Sequence, residues 1–195
     1  MKAYYHARAP EYDDWWLHEG LYAGRRPPGW DEERSALERW IAELPPKRTL
    51  DVACGTAFMT RFLRGDVVGL DQSSAMLEEA QRRLPDTTFV EGDALELPFE
   101  DGAFERIFTS YFYCHLDEDD RRRFLAEARR VAPELVVVGT RWNGQDARER
   151  WEERTLGDGS TWQVFKRVFV PEELARELGG EVLHQNRYFV MVAAA

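Results

Sequence analysis

The stretch Thr49-Leu-Asp-Val-Ala-Cys-Gly-Thr-Ala57 constrains the fold more than any other part of the chain. It reads as a buried strand that ends in a carboxylate and runs directly into a turn of small residues. A short amphipathic run, Phe58 to Leu63, follows. A turn at the carboxyl end of a strand, opening a helix, is where α/β proteins bind nucleotide-like ligands. Small residues there let a ligand approach the backbone.

The remainder of the chain supports the same architecture. Asp31 is placed to cap a helix with apolar positions Leu37, Trp40, Ile41 and Leu44, which Pro45-Pro46 stops. Strand and helix then alternate. Leu50–Ala53 is a strand and Phe58–Arg64 a helix; Val67–Leu70 is a strand and Ser74–Leu84 a helix; Thr88–Val90 is a short strand. Arg106–Phe112 precedes an Asp117-led helix through Val131, and Leu135–Gly139 follows. Such alternation implies right-handed crossovers and a mostly parallel sheet covered on both faces. Pro171 opens a further helix that Gly179-Gly180 closes. Glu181–His184 and Tyr188–Val192 are too close for a helical crossover and should pair as an antiparallel hairpin. The fold expected is therefore an α/β three-layer sandwich, with a mostly parallel sheet and an antiparallel last strand. One domain is expected over 1–195, with residues 1–46 as an N-terminal helical cap. The segment 142–170 is an insertion built on a hairpin turn at Asp158-Gly159-Ser160.

Composition excludes several functions. With 195 residues and 44% hydrophobic content the chain can bury one core. No apolar run of about 18 residues exists, and the first ten residues contain nothing like a signal peptide. Cys54 and Cys114 match no metal or redox spacing, so reduced thiols in a cytoplasmic protein are expected. A formal net charge of −10 works against binding to nucleic acid. The basic cluster Arg121-Arg122-Arg123 with Arg129-Arg130 sits among acids and reads as a solvated helix face. His6, His18 and His184 do not converge with acids in sequence, and no metal site is expected.

Two further carboxylates extend the pattern. Asp71 ends the second strand, twenty residues after Asp51, where an acid accepts from both hydroxyls of a ribose. A plainer role, capping the helix that follows, can be filled by Ser73. Asp93, just past the third strand, lies at the same sheet edge and is placed to accept from an exocyclic amine such as that of adenine.

With these elements the chain resembles a class I S-adenosylmethionine-dependent methyltransferase of the small-molecule (methyltransferase type 11-like) group, which has a Rossmann-like seven-stranded sheet. The matching residues are Leu50-Asp-Val-Ala-Cys-Gly-Thr-Ala57, Gly69-Leu-Asp-Gln-Ser-Ser-Ala-Met76, Glu91-Gly-Asp-Ala94, Leu97-Pro-Phe-Glu-Asp-Gly-Ala-Phe104 and the start Ala9-Pro-Glu-Tyr-Asp13. The resemblance covers roughly Tyr4 to Pro133 and the terminal hairpin.

The resemblance implies residue roles. Asp51, Ala53, Cys54 and Gly55 would approach the methionine part of the cofactor, with Asp51 near its ammonium. Asp71 would hold the ribose, Gln72 and Met76 would flank the adenine, and Asp93 and Ala94 would meet its amine and ring. Ser110 and Tyr111 would line the methyl-transfer site, and Tyr5 and Tyr12 would close over the cofactor. The sulfonium is intrinsically reactive, so positioning and exclusion of water carry the catalysis. His115 is the candidate general base, with packing at the start of the Asp117 helix as its structural alternative. The partner expected is a small-molecule acceptor, with the 142–170 insertion either walling its pocket or forming a dimer interface; the protein is a monomer or homodimer.

Two departures from the family pattern stand out. Ala53 and Ala57 occupy glycine places, so the turn is expected to avoid positive φ there. The usual Pro-Gly-Gly is Pro133-Glu-Leu135. Two other readings share much of this pattern. One is a non-catalytic S-adenosylmethionine-binding sensor or assembly protein. The other is a nicotinamide-dependent oxidoreductase, which the departure from Gly-x-Gly-x-x-Gly, Asp93 and the terminal hairpin all disfavour.

Overall fold

The computed structural model describes residues 1–145 and 147–195; the expected insertion over 142–170 includes residue 146, which lies outside the described residues. Seven strands form one sheet: β1 (Thr49–Val52), β2 (Val67–Asp71), β3 (Thr88–Glu91), β4 (Arg106–Ser110), β5 (Glu134–Thr140), β8 (Glu181–Gln185) and β9 (Phe189–Ala194). Their spatial order is β3-β2-β1-β4-β5-β9-β8, parallel from β3 to β5, with β9 antiparallel to both β5 and β8. The expected α/β fold, mostly parallel with a reversed last strand, is what the chain adopts. The strands β6 (Glu149–Thr155) and β7 (Thr161–Arg167) form a separate antiparallel hairpin turning at Asp158-Gly159.

Helices α1 (Lys2–Arg8), α2 (Asp14–Leu17), α3 (Trp30–Glu43), α4 (Ser74–Arg83), α5 (Glu118–Val131) and α6 (Pro171–Leu178) complete the fold. Side-chain alternation along the strands splits the core in two. Ile107, Val137, Val190 and Val192 join Phe124, Ala128 and Val131 of α5 and Leu174 and Leu178 of α6. Their neighbours Phe108, Val136, Val138, Phe189 and Met191 pack instead with Leu37 and Ile41 of α3 and with Trp16, Trp30 and Phe58. Both sheet faces are thus covered, as a parallel sheet requires.

Helix ends follow local chemistry where it is available. The Asp117 side chain accepts from the Asp120 amide at 2.9 Å, and Ser73 accepts from the Met76 amide. Pro171 opens α6, and Gly179 closes it at φ 72°. Three expectations fail. Asp31 does not cap α3: Gly29 holds the N-cap position, and Asp31 pairs instead with Arg26 at 2.8 Å. Residues 58–64 form only a 3₁₀ turn, Thr60–Phe62, rather than a helix. Phe58 and Met59 are drawn into the core beside Trp16, and the backbone of Gly65 passes so close to Lys47 that a Cβ would lie 2.4 Å from its carbonyl oxygen. The third failure concerns the turn itself: Ala53 and Ala57 both adopt φ 59°, and Gly55 lies between them at φ 57°. The turn uses the left-handed region at three alternate residues, and strain at two alanines is accepted in exchange.

Among the described residues, no helix is long and apolar enough to cross a membrane.

Candidate active site

The carboxyl ends of β1, β2, β3 and β4 converge on a cavity of about 260 Å³. Its wall includes Ala53 and Gly55 from the first turn, Asp71, Gln72 and Met76 after β2, Asp93 and Ala94 after β3, and Ser110, Tyr111 and His115 after β4. Tyr5 and Tyr12 reach it from the N-terminal segment. The expected residues are therefore brought together, apart from Asp51 and Cys54, which lie behind the turn rather than on this wall.

Asp71 is fixed by two amides of separate elements. Its Oδ1 accepts from Ser73 N at 2.9 Å and its Oδ2 from Gly55 N at 3.0 Å. Each carboxylate oxygen has further acceptor capacity, so both remain able to take a hydroxyl. Burial pushes its carboxyl up, against the lowering influence of those amides. Ser73, not Asp71, caps α4, so the plainer role weighed for Asp71 is taken by its neighbour. At the rim, Asp93 Oδ1 accepts from Leu95 N at 2.9 Å, which holds that carboxylate in place.

Behind the turn, Asp51 is 2% exposed. Thr60 Oγ1 donates to its Oδ2 at 2.6 Å, while its Oδ1 is buried without a partner. Ser110 Oγ is likewise buried and unpartnered. Both line a void of about 10 Å³ that shares Tyr12, Ala53 and Ser110 with the main cavity. That volume holds about one water-sized group, such as an ammonium. Burial raises the Asp51 carboxyl to about 7, against the lowering hydrogen bond from Thr60. Cys54 packs its sulfur toward Gly69 of β2, and burial raises its thiol well above the usual range.

Tyr111 adopts φ 62°, a conformation rarely tolerated by a bulky side chain. Its amide donates to Val138 O at 3.0 Å, so the neighbouring strand holds the bend. The residues that follow form a tight turn bringing His115 onto the cavity wall. His115 Nδ1 lies 2.6 Å from the Phe165 carbonyl of β7. A carbonyl only accepts, so Nδ1 carries the proton and Nε2 the free lone pair. Burial, then Lys166 and Arg154, hold this histidine well below its usual pKa, so it is neutral at physiological pH.

The cover is built from two distant segments. Asp13 accepts from Thr56 Oγ1 at 2.6 Å and pairs with Arg83 of α4, whose other guanidinium nitrogen donates to Thr56 O at 3.0 Å. The N-terminal segment is thereby tied to the first turn. Tyr4 of α1 packs with Leu156 and Val164 of the β6–β7 hairpin, and Glu11 accepts from Gly157 N at 2.8 Å. Residues not anticipated from sequence also line the cavity, notably Leu95, Phe112 and Leu116. They flank anticipated positions, and their chain neighbourhood was the available signal.

Comparison with known proteins agrees with this geometry. Residues 49–134 match the family model described as a methyltransferase domain. The demethylmenaquinone methyltransferase of Thermotoga maritima is 41% identical over 103 residues, 50% of this chain and 44% of that protein. An uncharacterized methyltransferase of Mycobacterium tuberculosis is 32% identical over 141 residues, 68% of this chain and 56% of its own length. The chain thus spans about half the length of the curated relatives it matches. Solved structures align more fully. DhpI in complex with SAH superposes with a TM-score of 0.75 at 27% identity, covering 98% of this chain and 92% of DhpI. The DhpI-SAM-HEP complex gives a TM-score of 0.76 at 26% identity, covering 98% and 94%. S-adenosylmethionine is the cofactor of this family, and the unpartnered acid behind the turn and the anchored acid after β2 suit its ammonium and its ribose. By its sheet order and its cavity, and by the match of residues 49–134 to the methyltransferase domain, the chain is similar to S-adenosylmethionine-dependent methyltransferases.

Proposed function

We propose that the protein transfers a methyl group from S-adenosylmethionine to a small-molecule acceptor. The observation that carries this reading is the pair of acids at the head of the sheet: Asp51, buried with one oxygen unpartnered, and Asp71, anchored by amides yet lining the cavity. Asp51 with Ser110 receives the ammonium, and Asp71 receives the ribose hydroxyls. Gln72 and Met76 flank the adenine, while Asp93 and Ala94 meet its amine and ring. Ala53, Cys54 and Gly55 form the turn against which the methionine part lies.

When bound, the cofactor supplies an activated methyl on a sulfonium, so the protein's task is alignment and exclusion of water. Tyr5, Tyr12 and Tyr111 surround the place where the two reactants meet and shield it from solvent. His115, with its Nε2 lone pair free, takes a proton from an acceptor that carries one; an acceptor already ionised needs no base. The β6–β7 hairpin walls the acceptor side. The relatives named for small-molecule methylation support an acceptor of that size class.

The test is calorimetric and chemical together. Titration with S-adenosylmethionine should give one site per chain, and a metabolite panel should contain a compound that drives release of S-adenosylhomocysteine. Binding with no turnover across a broad panel would point to a sensor instead; no binding would remove the proposal.

A further inference from the structure

A second cavity, of about 640 Å³, adjoins the first, and Tyr5, Tyr12, Tyr111 and His115 line both. Its remaining wall is cationic in a chain whose net charge is −10. Arg8, 4% exposed, and Lys166, 7% exposed, both line it. Neither forms an ion pair among the described residues. The Arg8 guanidinium donates to the hydroxyls of Tyr4 at 2.9 Å and Tyr22 at 3.3 Å, and its Nε is buried without a partner. The Lys166 ammonium has the Cys114 sulfur at 3.4 Å and the face of Tyr111 at 5.1 Å. Two acids share this wall: Glu152 pairs with Arg150 at 2.7 Å and Arg154 at 2.9 Å and feels Lys166 only through space, and Glu153 accepts from Gln163 at 3.2 Å, so neither forms an ion pair with Arg8 or Lys166.

Burying a cation without a counter-charge is costly, and a fold keeps such groups where a ligand completes them. The cations come from both halves of the cover, Arg8 from α1 and Lys166 and Arg154 from the hairpin, and they meet beside the shared wall of aromatic residues. We infer that this cavity is the acceptor subsite and that it selects an acidic small molecule, whose carboxylate or phosphoryl oxyanion is held by Arg8, Lys166 and Arg154. The inference rests on the methyl-transfer reading for the identity of the neighbouring cavity, but the anion site itself does not depend on it.

The experiment titrates the full chain with inorganic phosphate and, separately, with acetate, both free and saturated with S-adenosylhomocysteine. Saturable binding of at least one of these anions, one per chain and persisting in the saturated protein, is the expected result. The stronger of the two identifies the oxyanion class. Lys166→Met and Arg8→Gln should each weaken it at least about tenfold, the effect of losing one charge-assisted contact, with S-adenosylhomocysteine affinity kept within about threefold. Arg122→Gln, on the exposed face of α5, should leave it unchanged. Lack of saturable binding by the wild-type protein overturns the inference. So does expulsion of the anion by S-adenosylhomocysteine, which would assign the cations to the cofactor's own carboxylate. Failure of S-adenosylhomocysteine to bind at all would instead remove the proposed function, while anion binding to the free chain would still be read.

Discussion

At the scale of single residues, the fold holds two kinds of stored cost. Ala53 and Ala57 sit at φ 59°, where a Cβ is disfavoured. Ala53→Gly and Ala57→Gly should therefore each stabilise the protein by about 1 kcal/mol, raising the melting temperature by a few degrees, and leave cofactor binding intact. A melting curve checks this; a loss of stability at both sites would mean that the alanine methyls pack more favourably than the backbone strain costs. Asp51 stores the other cost. Its carboxyl, pushed up to about 7 by burial, favours the protonated form in the free fold. A raised carboxyl pKa stabilises most below its unfolded value near 4, and the contribution drains away as pH rises toward 7, on the order of 3–4 kcal/mol in all. Asp51→Asn should flatten that slope in pH-dependent unfolding. An ammonium arriving beside Asp51 ionises it, so S-adenosylmethionine binding at pH 6 should release a proton and at pH 8 release less. Calorimetry in two buffers of different ionisation enthalpy reads this directly, and equal proton release in wild type and Asp51→Asn would remove Asp51 from the ammonium site. For His115, already neutral well below its usual pKa, kcat should not fall between pH 8 and pH 6 through its own protonation. His115→Gln should lower kcat by about 10²-fold for an acceptor that must lose a proton, and much less for an ionised one.

At the scale of elements, the cover depends on a few polar ties. Asp13→Ala removes both the Thr56 bond and the Arg83 pair, so limited proteolysis should cut the segment around residues 8–20 faster, and the KM for the cofactor should rise more than kcat falls. Unchanged protease resistance would show that packing of Tyr4 against Leu156 and Val164 suffices to hold the cover. The elements also show what a sequence discloses. Where a capping residue, a periodic face and a stop lie within a dozen positions, as at Asp117–Val131 or Pro171–Gly179, the expected element matches the observed one closely. The run Phe58–Arg64 has helical spacing too, yet its aromatic residues are claimed by a core with Trp16 and Trp30, which sequence-local reasoning does not see. Asp71 and Asp93 were legible as cavity residues because each sits at or just past the end of a recognisable strand, and Ser110 through the family resemblance. Arg8, Arg154 and Lys166 were not: Arg8 lies well over a hundred positions from the other two, and an acidic average hides a local cationic wall.

At the scale of the molecule, the two covering segments share one small apolar cluster apart from the main core, of which Tyr4, Leu156 and Val164 are the buried members. Hydrogen exchange should show α1 and the β6–β7 hairpin opening together, with β4 and β5 protected throughout, and S-adenosylhomocysteine should slow both openings in step. Independent exchange of the two would divide the cover into separate parts. The core beneath has its own long reach. Trp30 donates to Trp16 O at 3.0 Å, Tyr188 donates to Pro28 O at 2.7 Å, and Asn186 donates to Glu33 O at 3.0 Å. These residues gather around Phe189 and Met191 of β9, on the sheet face that α3 also covers. During synthesis, the tryptophans and α3 therefore leave the ribosome long before the strand they pack against. The nascent chain must carry that aromatic surface exposed until β9 emerges, so this sheet face closes late and through contacts of high sequence separation.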